Sequence, residues 1–77
     1  MAALRFHWDF FGPDALRTAE HFLVHLDRFC AMEGVVHYTH WTTVLRSGAS
    51  ATLECDEAHL ALIRDRLRPR RAERVLG

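Results

Sequence analysis

Leu4-Arg5-Phe6-His7-Trp8-Asp9-Phe10, followed by Phe11-Gly12-Pro13-Asp14-Ala15-Leu16, is the stretch whose reading decides the fold. Over residues 4 to 10 apolar and polar side chains alternate strictly. Leu4, Phe6, Trp8 and Phe10 share one side, and Arg5, His7 and Asp9 share the other, which is the period of a half-buried strand. Gly12-Pro13-Asp14 then ends the strand and starts a helix, because proline suits the first helical position and an early Asp complements the helix dipole.

From there to Gly34, a C-terminal cap, the period changes to that of a helix. At 100° per residue, Ala15, Leu16, Ala19, Phe22, Leu23, Leu26, Phe29 and Cys30 fall within about 140° of arc. Asp27 and Glu20 lie to one side of that stripe, and His21 and His25 lie together on the opposite flank. Val35 to Arg46 is rich in Val, Tyr, Thr and Trp, which favours a second strand. A turn at Ser47-Gly48 leads to a third strand, Ala49 to Cys55. A two-residue loop there sets Thr42 opposite Leu53 and Trp41 opposite Glu54. With Leu53 inward, this hairpin points Val36, Tyr38, His40, Thr42 and Val44 inward, and His37, Thr39, Trp41, Thr43 and Leu45 outward with Ser50, Thr52 and Glu54. Asp56 caps a second helix that runs to about Arg68 and uses Leu60, Ile63 and Leu67 as its apolar face, with Pro69 interrupting it.

The order β-α-β-β-α, with a final β if the terminus pairs, describes a small α+β sandwich. It is the split β-α-β arrangement of a ferredoxin-like domain, an antiparallel sheet with both helices on one face. Residues 1–69 are expected to form this single domain, and 70–77 either a basic tail or a short edge strand. Seventy-seven residues leave room for one core only.

Ten basic and ten acidic residues cancel, yet the cancellation divides the chain. Residues 1–63 hold four arginines against eight carboxylates, and residues 64–77 hold six against two. The result is an acidic body with a basic terminus. There is no lysine, so Schiff-base and P-loop lysine chemistry are excluded. The first residues lack the apolar run of a signal peptide and no stretch has the length of a membrane span, so a soluble, cytoplasmic protein is expected.

Several constellations could carry chemistry. The uncovered sheet face would display Trp41 at its centre, with Thr39, Thr43 and Arg5, as an interface or ligand platform. His7, Asp9, His37 and Glu54 on that face are candidate acid-base residues. Cys30, Cys55, His59 and His37 should lie towards one end of the sandwich, where two thiolates and one or two imidazoles would make a tetrahedral zinc set. His21 and His25, at i and i+4, form a weaker metal pair without the glutamate of a zinc-protease motif. Arg64, Arg66, Arg68, Arg70, Arg71 and Arg74 could follow a phosphate backbone, but Asp65 and Glu73 interrupt them, which argues against a nucleic-acid partner.

The expectation from these features is a small domain that forms a homodimer or docks a protein partner through its open sheet, without catalytic activity of its own. The alternatives are a transition-metal or small-ligand site built from His and Cys, and a small acid-base enzyme.

Overall fold

The computed structural model describes residues 2–75. Strand β1 (Ala3–Phe11) leads into helix α1 (Ala15–Glu33), then strands β2 (Thr39–Leu45) and β3 (Gly48–Asp56), a 3-10 turn (Glu57–His59), helix α2 (Leu60–Leu67) and strand β4 (Arg71–Val75). The four strands form one antiparallel sheet in the order β2-β3-β1-β4. The chain is thus an α+β domain with a four-stranded antiparallel sheet and two helices. No helix among the described residues is long and apolar enough to cross a membrane.

The alternation in β1 does what its period requires. Leu4, Phe6 and Trp8 are buried in one cluster with Leu26 and Cys30 of α1, Leu53 and Cys55 of β3, and Ile63 of α2. Both helices therefore cover the same face of the sheet. Full burial of a side chain such as Phe6, Leu26, Leu53 or Ile63 contributes about 1.5–3 kcal/mol. Trp8 also donates its indole N–H to the carbonyl of Leu67 at 2.9 Å, fixing the end of α2 against the sheet. Near its start α1 meets β3 through Ala15, Ala19, Ala49 and Ala51, small residues that let helix and sheet approach closely. Gly34 ends α1 in the left-handed conformation, φ 75°, and donates to the Cys30 carbonyl.

Four expectations need correction. The hairpin turns at Arg46 and Ser47, one residue earlier than the spacing predicts, and Gly48 begins β3. His40, and not Thr42, pairs with Leu53, and Thr52, and not Glu54, pairs with Trp41. Parity survives this two-residue slip, so each β2 side chain keeps its predicted face. A Cβ at Gly48 would collide with the Phe10 carbonyl oxygen, so this glycine serves close approach to β1 and not the turn.

Second, β2 begins at Thr39, because Val35 turns into the core at 2% exposure and His37 takes a left-handed backbone, φ 57°. Val36 is exposed, and His37 is not on the sheet face. Third, β2 is an edge strand, so Trp41 lies at the rim of the open face and not at its centre. Fourth, the segment after Asp56 opens with a 3-10 turn. That rotates Leu60 outward and leaves Ile63 and Leu67, with Leu62, to meet the core. The cap itself forms, since the Asp56 carboxylate accepts from the Ala58 N–H at 2.8 Å.

The basic terminus folds back as β4, antiparallel to β1. Leu76, expected at the end of this strand, lies outside the described residues.

Candidate functional site

The face away from the helices is built in cross-strand rows. One row runs Glu73, Arg5, Glu54, Thr39; the next runs Arg71, His7, Thr52, Trp41; a third runs Asp9, Ser50, Thr43. Antiparallel pairing brings such neighbours within side-chain reach. Arg5 Nε donates to Glu54 at 2.7 Å, and its guanidinium carbon stands 5.4 Å from the centre of the Trp41 ring. His7 bonds Thr52 Oγ1 through Nδ1 at 2.9 Å and Glu73 through Nε2 at 2.8 Å. Arg71 donates to Asp9 Oδ2 at 2.6 Å.

Although no helix among the described residues covers this side, Ser50 and Thr52 are only 2% exposed. The longer side chains of the flanking strands close over them. Asp9 Oδ1 and Ser50 Oγ, on residues that pair directly across β1 and β3, are buried without a hydrogen-bond partner among the described residues.

The acid-base candidates thus fall into two groups. His7 and Asp9 are engaged with Thr52, Glu73 and Arg71 on the open face. His37 instead lines a cleft of about 440 Å³ at the end of the sheet, with Tyr38, Thr39, Cys55 and Asp56 among its walls, and Glu54, which Arg5 bonds on the open face, lines it as well. Of the platform residues, Trp41, Thr39 and Thr43 all belong to edge strand β2, and Arg5 reaches towards them from β1.

The zinc candidates separate by environment. Cys30 and Cys55 are free thiols buried in the core. Burial pushes the Cys55 thiol up to about 11, helped by the neighbouring Cys30 and Asp56. Burial also raises Cys30, with the Asp27 carboxylate adding to the effect. Burial of both thiols disfavours the charged thiolate form that zinc takes. His59 sits half-buried on the 3-10 turn and His37 on the exposed loop. His21 and His25 meet edge to face with ring centres 5.7 Å apart on the exposed flank of α1. Among the described residues, no three His, Cys, Asp or Glu side chains gather in a way that could hold a metal ion.

One polar cluster escapes the sequence reading. Asp27 Oδ1 accepts from the Tyr38 hydroxyl and is bonded by His40 Nε2, each at 2.8 Å. These two bonds hold the Asp27 carboxyl below its ordinary value, the Tyr38 bond most strongly. The same bond pushes the Tyr38 phenol up to about 12, with burial second. A signal existed: Asp27 flanks the apolar stripe of α1, and Tyr38 and His40 share the inward parity.

The terminal arginines are used within the chain. Arg71 meets Asp9, Arg74 meets Glu57 at 2.6 Å and Arg66 meets Glu33 at 3.9 Å, while the Arg66 guanidinium carbon lies 5.7 Å from the Phe29 ring centre. Arg64 pairs with its neighbour Asp65. Arg68 takes the left-handed conformation that ends α2, and the Arg70 N–H donates to the His7 carbonyl.

No family model matches this chain, and no curated protein or solved structure matches it at a significant level.

Proposed function

We propose that this chain is a homodimerising interaction domain of ferredoxin-like fold with no catalytic activity of its own. The fold assignment is supported by the strand order β2-β3-β1-β4, with α1 and α2 as the two crossings. Trp41 carries the functional reading. It is 37% exposed on a face without helices, and the Arg5 guanidinium lies across its ring. A large aromatic held in place at an uncovered surface favours a partner that packs on it. The small core adds weight, because a domain of this size gains stability by association. Sedimentation equilibrium at micromolar concentration tests the proposal. A dimer is expected, with blue-shifted Trp41 emission in a Trp8→Phe background; a monomer whose Trp41 emits as a fully wetted indole overturns it.

A second reading, small-ligand or metal binding, draws on the cleft that His37 and Glu54 line. A metal there would need ligands beyond this set, since among the described residues no three His, Cys, Asp or Glu side chains gather to hold an ion. Native mass spectrometry with and without zinc tests it, and absence of a stoichiometric adduct at neutral pH counts against it. An acid-base enzyme has less support, because His7 and Asp9 are already bonded to neighbours on their own face.

A further inference from the structure

The two edges of the sheet differ in chemistry. β4 is five residues long and carries Arg71, Glu73 and Arg74. Charges of this kind blunt an edge against further pairing. β2 reads Thr39-His40-Trp41-Thr42-Thr43-Val44-Leu45, with no arginine, carboxylate or proline, and its residues are those that favour strands. Among the described residues its one strand neighbour is β3, so one row of its backbone groups faces away from the sheet. Val44 on that strand is 72% exposed.

Resting on the homodimer reading, we propose that a second copy adds its own β2 antiparallel to this one about a twofold axis at Thr42, giving one continuous sheet of eight strands. Charge decides between this arrangement and face-to-face stacking. Stacking would strip water from Arg5 and Glu54, Arg71 and Asp9, and His7 and Glu73 together, and desolvating ion pairs can cost more than their attraction returns. The β2 edge holds no formal charge, so it lies against its copy without like-charge contact. In the Thr42 register, Trp41 of one copy faces Thr43 of the other, His40 faces Val44 and Thr39 faces Leu45. Every pair keeps its face, and the seam is roughly 24 Å long for seven residues.

Sedimentation equilibrium of the full chain, beside Val44→Lys and Thr43→Lys, tests the pairing. Both positions are exposed, and circular dichroism confirms that the variants fold. The expected result is a wild-type dimer that each lysine weakens roughly tenfold or more. Thr42→Cys should also oxidise to a covalent dimer, because facing Cα atoms in a hydrogen-bonded pair stand about 5.5 Å apart, within disulfide reach. A wild-type monomer overturns this pairing and the homodimer reading together. A dimer that neither lysine weakens, or one that Arg5→Cys cross-links and Thr42→Cys does not, overturns the edge pairing and leaves the homodimer on another surface.

Discussion

His7 Nε2 lies 2.8 Å from Glu73 Oε1 across 66 positions of sequence, joining the first strand to the last. Arg71, on the same strand as Glu73, repeats the link by donating to Asp9. These two contacts turn a run of arginines into a sheet edge.

Arg71→Ala should therefore be felt. The Asp9 side chain is 12% exposed, and its Oδ1 already lacks a partner. Without Arg71, Oδ2 loses its partner as well. A loss of about 1–3 kcal/mol is expected in urea unfolding. Arg64→Ala, whose pair with Asp65 is exposed on both sides, should leave the midpoint unchanged. Equal effects of the two substitutions would refute this ranking.

Tyr38 is the one tyrosine of the chain, so tyrosinate absorbance reports on it alone. Its midpoint should fall at about 12, and Asp27→Asn should return it towards about 10. The sign for stability follows from the raised value. The Tyr38 contribution is full below about pH 10 and is lost as pH rises towards 12. Asp27, whose carboxyl is lowered, contributes above the ordinary carboxylate range, and that contribution is lost as pH falls through its folded value. An unshifted tyrosinate midpoint in the wild type would show that the bond does not persist in solution.

Cys30 and Cys55 should resist thiol reagents at neutral pH, because both are buried and Cys55 is pushed up to about 11. Their labelling should follow the populated open state and accelerate in urea as the chain unfolds. Rapid stoichiometric labelling of the native protein would contradict the packing described for α1 and β3.

Gly48→Ala should cost about 1–3 kcal/mol or more, since the added methyl meets the backbone of Phe10 and not a movable side chain. Thermal unfolding measures this directly. A neutral substitution would mean that β1 and β3 can separate locally without cost.

The parts of this fold that were legible in the sequence are those set by a local period. The alternation from Leu4 to Phe10 and the stripe from Ala15 to Cys30 each fix one element and the face it buries. The hairpin turn was less legible, because Ser47-Gly48 satisfies turn chemistry locally while the reason for Gly48 lies on β1, 38 positions away at Phe10. Trp41 was assigned to the correct face at the wrong place across the sheet, since parity says nothing about strand order. The Asp27, Tyr38 and His40 cluster unites two elements whose separate patterns give no distance between them.

The position of β1 between β3 and β4 also governs the order in which the sheet can be assembled. Neither of its hydrogen-bonding neighbours begins before Gly48, and the second begins at Arg71. On a ribosome, then, the first strand emerges long before any strand it can pair with. Its apolar side, Leu4, Phe6 and Trp8, has only the amphipathic face of α1 to meet until the hairpin and the arginine-rich terminus follow. The β2–β3 hairpin can close locally, whereas every pairing of β1 waits on distant residues and carries the entropic cost of closing a long loop.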